Sequence, residues 1–157
     1  MEKDMVALRA SALDFLKAHD AGVLATVSPD GNPHASIVYY VADDLFNIYF
    51  LTKLGSRKYT GILSHPVVAF TIGRQDVPQT LQIEGVAVEL TNDDEKRPHV
   101  AELMDTLSNN NPLYIPIAKM DSEVVIMWIQ PKWIRWADFS THGIGNDAMF
   151  TEIPVTA

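Results

Sequence analysis

No cysteine occurs in the 157 residues, which excludes disulfide frameworks, thiolate nucleophiles and cysteine-bound metals together. Bases are also scarce: 12 Lys and Arg face 20 Asp and Glu, for a net charge of -8. Such a surface repels nucleic acid and anionic membranes over most of its area, so any anion the chain binds must be met by a local cluster of cations. No apolar run approaches the roughly 18 residues of a membrane-spanning helix. The opening MEKDMVALRASAL carries acids and lacks the apolar core of a signal peptide. These absences lead us to expect a cytoplasmic protein with no membrane or nucleic-acid partner. The five histidines, His19, His34, His65, His99 and His142, show no metal-ligand spacing, and no metal is expected. Repeats, low-complexity tracts and linkers are missing too. A chain of this length buries a core of its own, and a single domain over 1–157 is expected.

What is present is mostly strand. Leu8, Ala12, Leu13, Phe15 and Leu16 form one apolar stripe and predict a helix over 3–18. GVLATV, SPDGNP and HASIVYYV then read as strand, tight turn and strand, with Pro29 and Gly31 shaping the turn. Asp43 and Asp44 mark a turn into FNIYFLT. A short helix over 57–64 is expected to end at His65-Pro66. VVAFTI and TLQIEGVAVEL continue as strands. Asp93 and Asp94 open a helix carrying Val100, Leu103, Met104 and Leu107, with Pro98 in its first turn. EVVIMWI and KWIRWADF predict two closing strands separated at Pro131.

About seven strands in meander order predict a mainly β, antiparallel barrel with short peripheral helices. SIVYYV and EVVIMWI are apolar on both faces, whereas a half-exposed antiparallel strand alternates. With few helices available as cover, a second copy of the chain is the expected one, hence a homodimer.

The stretch LTKLGSRKYTG gathers Lys53, Arg57 and Lys58. If Ser56 caps the following helix, Arg57 and Lys58 occupy its first turn, where the helix dipole disfavours cations. An anion resting there reverses the sign, meeting free amides, the hydroxyls of Ser56 and Thr52, and two cations. A phosphate fits that set, although the order of residues is not that of a Walker P-loop.

The succession DGNPHASIVYY, YFLTKLGSRK, a short helix ending in HP, VVAF and TLQIEG resembles the pyridoxamine 5'-phosphate oxidase-like flavin-binding split barrels, over about residues 20 to 91. The resemblance implies a six- to seven-stranded split barrel that binds FMN at a homodimer interface. It places the phosphate on Ser56, Arg57 and Lys58 with help from Thr52, and leaves Lys53 a solvated neighbour. It lays Ser36, Ile37, Val38 and Tyr39 along the isoalloxazine ring, and sets Thr80 and Gln82 where the family's ring-contacting glutamine segment lies. Three departures stand out: Ser36 replaces an arginine common in the family, Thr80 replaces a glutamine, and WADFSTHGIGNDAMF offers Trp136 and His142 without the arginine-x-histidine pair that grips vitamin B6 substrates. The resemblance therefore implies an FMN-dependent oxidoreductase acting on a small molecule, and not a B6 oxidase. Two alternatives stay open: a deazaflavin-dependent reductase on the same fold, or a non-catalytic dimer that binds flavin or haem. No catalytic side chain is identified. His34 and His65 beside turn prolines and Glu84 in its strand read as structural or solvated, the tryptophans as core, and Trp136 alone as a candidate for the flavin edge.

Overall fold

The computed structural model describes residues 2–74, 76, 78–111, 123–140 and 149–155. In chain order the elements are α1 (Glu2–Ala18), β1 (Ala21–Val27), β2 (Pro33–Tyr39), β3 (Val41–Ala42), β4 (Ile48–Lys53), α2 (Arg57–Ser64), β5 (Val67–Arg74), β6 (Gln79–Glu89), α3 (Arg97–Asn110), β7 (Val124–Asp138) and β8 (Phe150–Glu152). The expected stripe seats α1: Ala12, Phe15 and Leu16 are buried, Leu8 and Leu13 pack beside them, and the Tyr40 hydroxyl donates to the Leu16 carbonyl at 2.6 Å. Gly31 turns the β1–β2 hairpin with φ +85°, a conformation that costs glycine little.

All strands join one antiparallel sheet in the order β2-β1-β5-β6-β7-β4-β3, with β8 added on β7. Six long strands make the half-barrel; β3 and β8 are short. The expected meander is corrected: it holds from β5 through β8 and within the pairs β1–β2 and β3–β4, but not between these groups. β1 pairs with β5 and β4 with β7, so the chain crosses between β4 and β5. Helix α2 carries that crossing. It lies so close to the end of β1 that a Cβ on Gly61 would stand 2.8 Å from the Val27 carbonyl oxygen, and its Ile62 is buried. No ladder joins β2 to β4, and the barrel is split there.

The expected break at Pro131 is also corrected. β7 is one 15-residue strand. The register slips beside Glu84 and Gly85, where Trp133 faces Glu84 and Pro131 faces Gly85, leaving Lys132 as the extra residue of a bulge. A bulge tolerates the missing proline N–H and shifts the alternation by one, so that Ile129 before it and Ile134 and Trp136 after it all point inward. Gly85 is required, because a Cβ there would meet the Gln130 carbonyl oxygen at 2.2 Å.

The inner face holds the main core, around Leu24, Phe50, Phe70, Leu81, Ile83, Met127 and Ile134. The outer face is divided. Over β4 and β7, Tyr49, Ile126 and Trp128 pack under Val100 and Met104 of α3. Over β1 and β2, Ile37 is 75% exposed, Val23 41% and Tyr39 37%. The second copy expected to cover EVVIMWI is therefore not needed there: the chain's own α3 does it. Of the two segments, SIVYYV is the one whose outer apolar side chains are left exposed among the described residues.

Candidate cofactor cleft

The split between β2 and β4 is a cleft of about 250 Å³ lined by Ile37, Val38, Tyr39, Leu51, Thr52, Lys53, Ser56 and Lys58. Strand alternation sorts the β2 residues. Ile37 and Tyr39 belong to the exposed outer face, while Val38 is buried and Ser36 lies on the inner row that pairs it with Leu24. Ile37, Tyr39 and Leu51 thus give the cleft an apolar mouth, and β4 and the start of α2 give it a polar end.

That polar end is built by the cap. Ser56, extended at φ -66° and ψ 159°, accepts the Tyr59 amide on its Oγ at 3.2 Å, and the same Oγ lies 2.9 Å from Thr52 Oγ1. Thr52 is only 2% exposed, so this hydroxyl pair is fixed at the floor. Gly55, at φ +78°, allows the tight approach to the cap. No acidic residue occupies the first turn of α2. A cation on Lys58, two ordered hydroxyls and first-turn amides form a set that matches a phosphate in charge and donors.

The sequence grouped Arg57 with Lys58, but the two line different hollows. Arg57 faces a neighbouring polar pocket of about 300 Å³ with Ser28, Asp30, Asn32, His34, Gly55 and Thr60. Consecutive residues of a helical turn point about 100° apart, so one phosphate meets Lys58 directly and Arg57 only from across the turn. Lys53, read as a solvated neighbour, is exposed at the rim of the cleft. Leu51 was missed as a lining residue; its alternation with buried Thr52 is the signal that would have shown it.

Thr80 and Gln82 share the outer face, as their two-residue spacing requires, but stand away from the cleft. The register sets Gln82 between Thr71 and Arg135, and Thr80 between Gly73 and Ala137. Gln82 Oε1 accepts from Arg135, a partner the sequence did not suggest. Trp136, the candidate for the flavin edge, is 3% exposed and packs edge-on against Phe15 at 5.1 Å, within the core of this protomer. His142 lies outside the described residues. His65 caps the end of α2 by donating its backbone N–H to the Gly61 carbonyl, and Glu84 is exposed. Among the described residues no group of acids and histidines is placed to hold a metal, and no helix is long and apolar enough to cross a membrane.

Comparison with known proteins agrees with the fold. A candidate pyridoxamine 5'-phosphate oxidase from Listeria innocua is 26% identical, with a TM-score of 0.64 over 82% of this chain and 97% of its own. An F420 reductase is 27% identical, with a TM-score of 0.57 over 73% of this chain and 88% of its own. An FAD-binding protein from Mesorhizobium loti shares the fold at 18% identity, with a TM-score of 0.64 over 80% of this chain and 88% of its own. Residues 8–136 match the family described as pyridoxamine 5'-phosphate oxidase, a span that takes in the cleft, the bulged strand and α3, and the chain belongs to that family.

Proposed function

We propose that the chain is a homodimeric, FMN-binding oxidoreductase of the cytoplasm that acts on a small molecule, and that it is not a vitamin B6 oxidase. The observation that carries this reading is the joining of Lys58 and the Thr52–Ser56 hydroxyl pair to the apolar Ile37, Tyr39 and Leu51 in one cleft. The residues present fit the group: a phosphate at the polar end, a flat apolar ring along β2. At about 250 Å³ the cleft is smaller than the roughly 300–1,000 Å³ that enclose a ligand of this class. A second protomer laid on Ile37, Val23 and Tyr39 supplies the missing wall and removes their exposed surface from water.

Bound FMN supplies hydride or electron transfer, which no side chain of this chain provides. The chain's part is positional. Lys58 neutralises phosphate charge, Thr52 and Ser56 hold it at the strand end, and the backbone of β2 edges the ring with its amides and carbonyls. Dimer closure excludes water from the ring face. B6 oxidation would need a second phosphate site beside the ring, and the closing segment WADFSTHGIGNDAMF lacks the arginine-x-histidine pair that forms it in the family.

A deazaflavin coenzyme is the second reading. Ser36 leaves the site one cation short of the family's common pattern, and the F420 reductase is 27% identical. A single experiment tests both: titrate the purified protein with FMN and with the deazaflavin coenzyme, follow visible absorbance, and add reduced nicotinamide to the better-bound complex without oxygen. Tight FMN binding followed by bleaching supports the first reading, and preference for the deazaflavin supports the second. Binding of neither removes the flavin assignment.

A further inference from the structure

On the outer face, the register sets Gln82 opposite Arg135 and Arg135 opposite Glu152. Arg135 Nε and Nη2 both donate to Gln82 Oε1, at 2.9 and 2.6 Å. The guanidinium carbon lies 4.7 Å from the centre of the Phe150 ring and 5.5 Å from that of Trp133, within the range of cation–π attraction. An amide and two aromatic walls therefore fix a planar cation. Arg135 is half-buried, yet no acid among the described residues forms an ion pair with it, Glu152 across the ladder included. In so acidic a chain, a held cation that meets no acid among the described residues is poised for an external anion.

The edge that faces Gln82 uses Nε and one Nη2 hydrogen. The other edge, Nη1 with the second Nη2 hydrogen, has the fork geometry that a carboxylate matches. Phe150, 42% exposed, and half-buried Trp133 offer apolar surface beside it. We propose that Arg135 is a carboxylate-binding residue and that Trp133 and Phe150 wall the body of a small aromatic carboxylic acid, the molecule presented to the flavin. This rests on the flavin reading above. One row of the sheet runs Ile37, Val23, Thr71, Gln82, Arg135. Four strand spacings separate its ends, about 19 Å, too far for one small acid to touch both within a protomer. The acid reaches the cleft where the dimer lays the partner's Arg135 over it.

Benzoate is the probe. Calorimetric titration of the flavin-free protein should show saturable binding, weakened at least tenfold by Arg135→Ala and less by Arg135→Lys, with the fold checked by circular dichroism. No saturable binding to the unaltered protein, or equal affinity in folded Arg135→Ala, overturns the site. Because flavin is left out of this titration, the carboxylate site and the flavin reading fail separately. Mixed dimers of Lys58→Ala chains with Arg135→Ala chains then test the placement. FMN in such dimers occupies the cleft of the Arg135→Ala chain, so a benzoate-induced change in the flavin spectrum must come from the other chain's Arg135. A change supports the placement, and a silent spectrum, where the unaltered dimer responds, overturns it.

Discussion

The outer face of the sheet is handled in two ways by one chain. Over β4 and β7 it is closed: Tyr49, Leu90, Ile126, Val100 and Met104 form a second core under α3. A polar girdle completes it, in which Asp43 accepts from Asn47 and Tyr49, Trp128 donates to Asn47 Oδ1 at 2.9 Å, and Lys96 sits 4.1 Å from the centre of the Trp128 ring. Burial and the neighbouring Asp43 push the Tyr49 phenol well above its ordinary range, so it remains a neutral donor. Over β1 and β2 the face is left open, and the apolar side chains there end at the cleft. The difference separates stability from function. Residues of equal hydrophobicity serve folding where the chain supplies its own cover, and stay exposed where it does not, on the face where assembly and cofactor binding are proposed.

Aspartate placed on each half should break the comparison most sharply. Val100 is 1% exposed, so Val100→Asp buries a carboxylate without a partner and should cost about 4 kcal/mol or unfold the chain, read from a denaturant midpoint. If the open half is the proposed dimer interface, Ile37→Asp should leave the protomer fold intact and instead block assembly, so that light scattering returns 17.5 kDa in place of twice that mass. A dimeric Ile37→Asp protein would show that the open half is not the interface.

Within the open half, the two cations should differ. Lys58 lines the cleft and Arg57 the neighbouring pocket. Lys58→Ala should weaken FMN by about 2 kcal/mol, the loss of one charge-assisted bond to phosphate. Arg57→Ala should cost less than half as much. Fluorescence titration decides, and equal losses would mean that both side chains turn onto one phosphate when it binds.

Much of this was legible in the sequence, for identifiable reasons. Ser56 and the His65-Pro66 pair bounded α2 because caps and prolines act locally. The stripe of α1 and the Gly31 turn were likewise local signals. The crossing of β4 into β5 was not legible, because pairing partners far apart in sequence leave no mark on either strand. Pro131 misled because a bulge and a strand end both tolerate the missing donor; only Gly85, 46 residues upstream, reveals which applies. Apolar residues on both faces of EVVIMWI correctly required a cover, but composition cannot say whether α3 or a second copy provides it. Arg135 was visible in the sequence as a cation on the closing strands, but its setting was not: Gln82 and Phe150 come beside it only through the register.

The smallest expected effect concerns how the closed half is fastened to α1. Lys17, near the end of α1, pairs with Asp44 in the turn between β3 and β4. The hydrogen bond from Lys17, then its charge and that of His99 on α3, hold the Asp44 carboxyl below its ordinary value. A carboxyl lowered on folding contributes stability above its unfolded pKa of about 4 and loses it as pH falls through the folded value. Because both side chains are well exposed to solvent, salt screens the pair and the contribution is slight. Asp44→Asn should therefore lower the urea midpoint slightly at pH 7 and low ionic strength, and the gap should close in molar salt and narrow as the pH falls below the ordinary carboxylate value. A gap that survives both conditions would trace the effect to the backbone of the turn, and the closed half would then owe nothing to this charge pair.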